Sequence, residues 1–249
     1  MAKPADTIDR EEIERFSALA ETWWDPKGSM APLHKLNPAR LQFLRDALAT
    51  HFGRDWRSLT PFEGLKILDI GCGGGLVAEP LARLGCAMTA IDAAEANIAV
   101  ARAHAATSGL AIDYRMAAAE DLAAAGERFD AVLALEVVEH VADVDAFLAA
   151  AAALIRPGGV FLGSTLNRTA KSYLMAIVGV EYVLRWLPRG THQWDRFLRP
   201  SEFAAGLRRQ GLQVELLRGL VYDVFRDAWR VVEGDLDVNY LLVARKPTA

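Results

Sequence analysis

The residues best suited to chemistry are a glycine-rich loop and two acids beside it. Residues 68–75 read Leu-Asp-Ile-Gly-Cys-Gly-Gly-Gly and follow an apolar, strand-like stretch. Glycines let a backbone turn sharply and approach a ligand, and N–H groups at the start of a helix attract polar groups. A second apolar stretch, 87–91, ends at Asp92, where a carboxylate can accept hydrogen bonds from ribose hydroxyls. Together these features predict a site for a nucleotide-like cofactor.

The spacing of the glycines separates two classes of cofactor. A dinucleotide-binding turn has the pattern G-x-G-x-x-G. Gly71 and Gly73 fit its first two glycines, but the sixth position is Leu76, and Asp69 stands where that pattern has an apolar residue. The pattern D-x-G-x-G-x-G instead resembles motif I of the class I S-adenosylmethionine-dependent methyltransferases. We therefore expect Asp69, Gly71, Gly73 and Asp92 to form a site for S-adenosylmethionine.

A cluster of ionisable side chains follows the predicted strand 129–134. Glu136, Glu139 and His140 would share one face if the backbone were α-helical there. Two carboxylates and an imidazole suit a divalent ion. The alternative is a solvated helix start whose acids interact favourably with the helix dipole. His140 could also act as a general base, so these interpretations stay open.

Two more polar groups follow predicted strands, at the sheet edge where open α/β sheets bind ligands. Glu120 and Asp121 come after the third strand and suit either a helix cap or the adenine side of a cofactor site. Residues 164–168 read Ser-Thr-Leu-Asn-Arg and are rich in hydrogen-bonding groups. The alternative for this second group is a polar turn before a helix, with Asn167 or Thr169 as its cap.

A parallel sheet is needed to bring these residues together. Apolar stretches predict seven strands, at 65–70, 87–91, 111–115, 129–134, 159–164, 212–218 and 237–244. Helices are predicted between them, near 76–84, 94–107, 143–155 and 200–209. Such alternation predicts an α/β fold with helices on both faces of a mostly parallel sheet. The final strand is expected to be inserted antiparallel at the edge of the sheet.

We predict a single domain over residues 1–249 with two additions to the minimal fold. The first is a helical N-terminal segment, 1–60, with helices over 9–21, capped by Asp9, and 37–51. The second is an insertion, 167–199, whose stretch 171–189 has a charged and an apolar face at helical pitch. That stretch is too short and too charged to span a bilayer. It suits a lid over the site or a helix lying at a membrane surface.

The composition is that of a globular protein with one sizeable core. The chain has 249 residues, of which 52% are hydrophobic and 24% charged. Its net charge of −4 argues against nucleic acid as a partner. Two cysteines, Cys72 and Cys86, are expected to be unpaired thiols in a reducing compartment. The N-terminus lacks the apolar core of a signal peptide, so we expect the bacterial cytoplasm, with peripheral contact to the inner face of its membrane.

Several segments resemble the ubiquinone biosynthesis O-methyltransferases, and they run from near residue 8 to near residue 243. The most specific are Trp-Trp-Asp at 23–25, Leu-His-x-Leu-Asn-Pro-x-Arg at 33–40, Ser-Thr-Leu-Asn-Arg at 164–168 and Gly-Thr-His at 190–192. Motif I itself is shared by many methyltransferases. The resemblance implies methylation of polyprenyl catechol and 3-demethylubiquinol intermediates.

The resemblance also assigns roles to individual residues and partners. It implies that Arg40 pairs with the methionine carboxylate of the cofactor and that Leu135 contacts it through backbone or apolar packing. Glu120 is expected on the adenine side. A divalent cation, taken to be Mg²⁺, would be bound by Glu136, Glu139 and His140. A polyprenyl phenolic lipid, a membrane surface touched by 171–189 and a ubiquinone biosynthesis complex are the expected partners.

The predicted reaction is an in-line methyl transfer from the sulfonium to a phenolate oxygen. Either a divalent ion or His140 would favour the phenolate, and Glu136 and His140 are the predicted catalytic residues. One alternative is the methylation of another small phenol. A second is a lipid-binding scaffold without catalysis, against which the intact Asp69, glycine loop and Asp92 argue.

Overall fold

A mixed sheet of eight strands forms the middle layer of the computed structural model, which describes residues 7–174 and 193–248. The strands are β1 (Lys66–Ile70), β2 (Ala87–Asp92), β3 (Asp113–Met116), β4 (Phe129–Leu135), β5 (Ile155–Leu166), β6 (Gln213–Asp223), β7 (Ala228–Val232) and β8 (Asn239–Arg245). Their order across the sheet is β3-β2-β1-β4-β5-β8-β6-β7. Strands β1 to β5 pair in parallel, and β8 lies antiparallel between β5 and β6. This confirms the predicted fold class and the antiparallel direction of the final strand. The strand lies inside the sheet and not at its edge, because β6 and β7 pair beyond it.

Helices cover both faces of the sheet. They are α1 (Arg10–Ser17), α2 (Ala31–Phe52), α3 (Ala78–Arg83), α4 (Glu95–Thr107), α5 (Ala119–Ala124), α6 (Val144–Leu154), the short turn α7 (Ala170–Ser172) and α8 (Pro200–Arg209). Helices α2, α3 and α4 pack on one face, and α5, α6 and α8 on the other. Neighbouring strand residues such as Ile67 and Leu68 point to opposite faces, so each contributes to a different core layer.

The N-terminal segment belongs partly to the core. Asp9 caps α1 as predicted, since its side chain accepts a hydrogen bond from the backbone N–H of Glu11. Helix α2 begins at Ala31, six residues before the predicted residue 37. Pro38 lies inside this helix and does not mark its start. Leu44 and Leu48 of α2 are fully buried against the sheet. The 1–60 segment thus supplies one of the helices that cover the sheet.

Strand β7 is the element that the sequence reasoning missed, and the sheet has one strand more than predicted. The turn that joins β6 to β7 contains no glycine or asparagine, which usually mark a hairpin. Asp227 takes the left-handed backbone conformation there, with φ of 48°, which aspartate adopts more readily than most residues. Pairs such as Tyr222 with Trp229 then align the two strands.

The insertion is described only at its two ends. Thr169 caps α7, because its hydroxyl accepts a hydrogen bond from the N–H of Ser172 at 3.0 Å. Most of the predicted helix over 171–189 lies outside the described residues. Within 7–174 and 193–248, the helices are too short or too polar for any of them to cross a membrane.

Two leucine truncations test whether α2 is part of the core. Leu48 is fully buried, and Leu59 is 90% exposed. We expect Leu48→Ala to lower the free energy of unfolding by about 2–5 kcal/mol, because the truncation leaves a cavity between α2 and the sheet. Leu59→Ala, the matched control, should change it by less than about 0.5 kcal/mol. Urea denaturation measures both, and equal effects would show that α2 is not packed as described.

Candidate functional site

A cavity of about 600 Å³ lies at the carboxyl ends of the parallel strands. Parallel strands place their carboxyl ends at one sheet edge, so residues far apart in sequence meet there. All of the predicted cofactor-binding residues line this cavity: Arg40, Asp69, Gly71, Gly73, Asp92, Glu120 and Leu135. Glu136, Glu139 and His140 line it too. The structure therefore brings together all the residues that the sequence singled out as ligand-binding or catalytic.

Asp92 fixes the glycine loop in place. Its Oδ2 accepts a hydrogen bond from the N–H of Gly73 at 2.9 Å. Its Oδ1 accepts from the N–H of Ala94 at 2.8 Å and from Nδ2 of Asn97 at 3.2 Å. Burial raises the pKa of Asp92, although these donors oppose the rise. One carboxylate thus joins the loop to the N-terminus of α4, while its side chain still borders the cavity.

Two tryptophans cover the glycine loop from outside. Trp23 packs directly on Gly73 and Gly74, and its Nε1 donates to Oδ1 of Asn97 at 2.9 Å. Trp24 donates from its Nε1 to the carbonyl of Gly74 at 2.9 Å. The sequence reasoning did not assign Trp23 or Asn97 to the site. The Trp-Trp pair at 23–24 is the signal that the sequence offers for this contact, but its spacing does not indicate that the rings pack on the loop.

A buried ion cluster lies beneath the loop. Burial lowers the pKa of Arg40, while the carboxylates of Glu136 and Asp69 raise it. Burial raises the pKa of Asp69 to about 7, an effect that Arg40 reduces and Asp92 increases. The buried Nε of Arg40 has no hydrogen-bond partner among the described residues. An unpaired guanidinium donor at a cavity wall fits a ligand carboxylate.

The two acids after β3 take separate roles. Asp121 caps α5, because its Oδ2 accepts from the N–H of Ala118 at 3.0 Å. Glu120 faces the cavity, and its Oε1 accepts from the hydroxyl of Thr7 at 2.6 Å. Its Oε2 is buried, and nothing in the described part of the chain bonds to it. This acceptor can bind an amino group such as that of adenine. The predicted helix cap therefore occurs at Asp121, and the adenine-side role of Glu120 stays a prediction.

Glu136 is held in an unusual conformation directly after β4. Its φ is 55°, a left-handed value that few non-glycine residues adopt. Oε1 accepts from the Ser164 hydroxyl at 2.6 Å, and both carboxylate oxygens lie 3.2 Å from Nδ2 of Asn239. Arg40 adds an ion pair at 3.4 Å. The predicted polar group 164–168 therefore contributes Ser164, which helps to hold Glu136 in place.

The predicted metal ligands do not converge. Within residues 7–174 and 193–248, no group of three or more His, Cys, Asp or Glu side chains is placed to hold a metal ion. The prediction assumed an α-helix, but Val138–His140 forms only one 3₁₀ turn and Glu136 is left-handed. Glu139 is buried, and both burial and the nearby Glu136 raise its pKa. The side chains as placed do not fit a divalent ion.

His140 instead faces a carboxylate on the N-terminal helix. Its Nδ1 lies 2.9 Å from Oε2 of Glu12 on α1. The ring of Phe16 meets the imidazole edge-on, with ring centroids 5.2 Å apart. Burial raises the pKa of Glu12, but His140 and Arg15 outweigh it and the net shift is downward. Helix α1 thus orients His140 at the cavity wall, through a contact that no local sequence pattern predicts.

Comparison with known proteins agrees with this site. Residues 68–163 match the family model of a methyltransferase domain. A ubiquinone biosynthesis O-methyltransferase of Azorhizobium caulinodans is 58% identical over 239 residues, 96% of this chain and 94% of the relative. One of Paramagnetospirillum magneticum is 55% identical over 240 residues, 96% of each chain.

Solved structures share the fold. Magnesium protoporphyrin IX methyltransferase from Synechocystis PCC 6803, with bound SAH, has a TM-score of 0.61 at 18% identity and covers 94% of both chains. A possible histamine N-methyltransferase from Thermotoga maritima has a TM-score of 0.61 at 16% identity and covers 95% of this chain and 99% of its own. At such low identities the similarity establishes the architecture alone.

The sheet order, the glycine loop and the acid at the end of β2 define a class I S-adenosylmethionine-dependent methyltransferase. This confirms S-adenosylmethionine as the cofactor class. The relatives are more than half identical over nearly the whole chain. The chain belongs to the ubiquinone biosynthesis O-methyltransferase family, as the sequence motifs predicted.

A glycine substitution tests how the loop is covered. Gly73 has φ of 53°, and an added Cβ would collide with the Trp23 ring. Gly53 has a similar φ of 61°, but no described atom lies within 4 Å of its added Cβ. Both alanine substitutions should cost about 1 kcal/mol of stability from backbone strain, and Gly73→Ala should cost more because the Trp23 ring must move. Only Gly73→Ala should also weaken S-adenosylmethionine binding, by about tenfold or more, in calorimetric titration. Equal binding by the two variants would contradict the described packing.

The raised pKa of Asp69 predicts a pH-dependent stability. In the unfolded chain this carboxyl ionises at about 3.9, but burial raises its folded pKa to about 7. The contribution of Asp69 to stability is therefore complete below the unfolded pKa of about 3.9 and is lost as the pH rises through the folded pKa of about 7. Asp69→Asn removes this loss.

We expect the stability of ligand-free Asp69→Asn, relative to wild type, to increase by up to about 1.4 kcal/mol per pH unit between about pH 5 and pH 7. Urea denaturation across that range measures the difference. Subtracting the wild-type curve removes the effect of the other acids. A difference that does not change with pH would show that Asp69 ionises normally.

Proposed function

We propose that this protein transfers a methyl group from S-adenosylmethionine to a phenolic hydroxyl of polyprenyl catechol and 3-demethylubiquinol intermediates of ubiquinone biosynthesis. The observation that carries the proposal is the position of His140, which lines the same cavity as the cofactor residues and has Nδ1 2.9 Å from Oε2 of Glu12. The names of the relatives support this choice of pathway.

Bound S-adenosylmethionine supplies an activated methyl group on a sulfonium. The unpaired Nε of Arg40 would hold its methionine carboxylate, and Asp92, which borders the cavity, would accept hydrogen bonds from its ribose. Oε2 of Glu120 would accept from the adenine amino group. Gly71 and Leu135 give the cavity wall its shape between these groups. The protein thereby orients the methyl group toward the acceptor.

His140 acts as the general base for the phenol. A phenolic hydroxyl has a pKa of about 10 and is a poor nucleophile until its proton is removed. With Nδ1 protonated toward Glu12, the Nε2 of His140 is an acceptor for that proton. Glu136, fixed by Ser164 and Asn239, accepts a hydrogen bond from the second hydroxyl of a catechol and sets the orientation of the ring.

The divalent cation implied by the family resemblance stays a prediction. The side chains of Glu136, Glu139 and His140, as placed in the described part of the chain, do not fit it. Titration of turnover with Mg²⁺ and with a chelator tests it separately. Peripheral contact with the cytoplasmic membrane through 171–189, and membership of a ubiquinone biosynthesis complex, complete the proposal. Both would bring the enzyme to a lipid substrate.

A turnover assay tests the proposed function directly. The purified protein is incubated with S-adenosylmethionine and either a farnesylated catechol or a prenylated demethylubiquinol, and the products are analysed by mass spectrometry. We expect O-methylated product from both acceptors. Cofactor binding without methylation of either acceptor would favour the scaffold, and methylation of small phenols only would favour the other alternative.

Replacement of His140, the proposed base, is expected to lower turnover without changing the affinity for S-adenosylmethionine. We expect His140→Ala to reduce kcat by about 10²–10⁴-fold, because proton removal from the phenol loses its acceptor. The dissociation constant for S-adenosylmethionine should stay near the wild-type value. His51→Ala is the matched control, since His51 lies on α2 and contacts the carbonyl of Gly158 at 2.9 Å. A His140→Ala enzyme with wild-type kcat would exclude His140 as the base.

A further inference from the structure

The β6–β7 hairpin has no part in the chemistry described above. Its turn lies between Asp223 and Ala228, the last pair of the two strands. Lys35 on α2 pairs with Asp227 in this turn, with Nζ 2.8 Å from Oδ1. The hairpin is therefore tied to the start of α2. Its inward side chains still require an explanation.

Those side chains line the same cavity as the cofactor residues. Tyr222 and Val224 from the end of β6, and Trp229 from β7, border it. The rings of Tyr222 and Trp229 pack at a centroid distance of 5.5 Å. Because β7 is the edge strand next to β6, this part of the cavity lies at the far edge of the sheet. The cavity therefore extends along the sheet edge from the cofactor residues to the hairpin.

The sheet order separates this end from the cofactor end. Asp92 follows β2, Glu136 follows β4, and Trp229 is on β7. In the sheet order β1, β4, β5, β8 and β6 lie between β2 and β7. The start of α2 reaches across this edge, because Leu33 packs with Trp23 near the glycine loop and Lys35 pairs with Asp227. Glu136 and His140 follow the central strand β4. A phenol ring placed beside them has the cofactor on one side and the hairpin on the other.

The hairpin side of the cavity is suited to hydrocarbon. Apolar side chains from the elements around the hairpin also line the cavity. They are Leu33 of α2, Leu166 at the end of β5, Leu174 after α7 and Val238 before β8. Val224 and Leu174 line the cavity and are also 71% and 62% exposed, so each of them lies where the cavity wall meets the surface. An apolar cavity that reaches the surface can hold a long hydrocarbon tail whose polar head is bound deeper inside.

We propose that the β6–β7 hairpin and the start of α2 form a subsite for the hydrocarbon tail of the acceptor, which leaves the cavity between Val224 and Leu174. This rests on the proposed function, because the phenolic head must lie beside His140. The tail belongs to the isoprenoid or long alkyl class. The subsite gives the enzyme its preference for tailed over tail-less phenols.

Binding of a non-reactive ligand tests the subsite without depending on turnover. The probes are a farnesylated phenol whose hydroxyl is already methylated and the same phenol ether without the tail, each titrated calorimetrically in the presence of S-adenosylhomocysteine. Val224→Glu places a charge at the channel wall. Phe225→Glu is the matched control, because Phe225 is the next residue, is 97% exposed and is not part of the cavity wall. Both positions are exposed, so both variants should fold.

We expect Val224→Glu to weaken binding of the farnesylated ligand by about tenfold and to leave the tail-less ligand unchanged, since burying a charge beside hydrocarbon is unfavourable. Phe225→Glu should bind both ligands as wild type does. Wild-type affinity of Val224→Glu for the farnesylated ligand, or an equal loss in both variants, would overturn the proposal. Failure of the proposed function would give a different result. The turnover assay would then show no methylation, while Val224→Glu would still weaken calorimetric binding of the farnesylated ligand.

Discussion

The hydrogen bonds accepted by the half-buried carboxylate of Asp92 hold the cofactor end of the molecule together. A carboxylate that is partly removed from water is costly unless donors satisfy it. Here the donors are the N–H of Gly73, the N–H of Ala94 and the amide of Asn97, which come from the glycine loop and from α4. Asn97 in turn accepts from Trp23. The N-terminal segment, the loop and α4 are therefore linked through one acid, and the cofactor cavity exists only when all three are in place.

The same sheet edge places a second group of buried charges beside the first. Arg40 is close to Glu136 and interacts electrostatically with Asp69 and Glu139. Burial disfavours the charged form of a carboxyl group and is the main reason why the pKa values of Asp69 and Glu139 are raised. The nearby Glu136 adds to the rise at Glu139, whereas Arg40 reduces it at Asp69. The cluster keeps polar groups in the cavity floor while the hairpin end is apolar. This gradient matches a ligand with a polar head and a hydrocarbon tail.

Sequence reasoning found the parts of the site that depend on local pattern. Apolar runs end at Asp69 and Asp92, so the strand ends and the cofactor residues could be placed from spacing alone. The contact between His140 and Glu12 depends on how α1 docks on the sheet, which no local pattern specifies. The prediction that Glu136, Glu139 and His140 share one helical face was wrong. Helical spacing does not apply here, because Glu136 has a left-handed backbone and Val138–His140 forms only a 3₁₀ turn. Strand β7 escaped detection because its turn uses Asp227 in place of glycine.

The most direct measurement is a crystal structure of the protein with S-adenosylhomocysteine and a farnesylated catechol bound together. Our account predicts a phenolic oxygen within about 3 Å of His140 Nε2, a typical hydrogen-bond distance, with the amino-acid carboxylate of the cofactor product on Arg40. It also predicts that the tail points toward Trp229. A structure in which both catechol oxygens coordinate an ion held by Glu136 and Glu139, with His140 turned away from Glu12, would contradict the account.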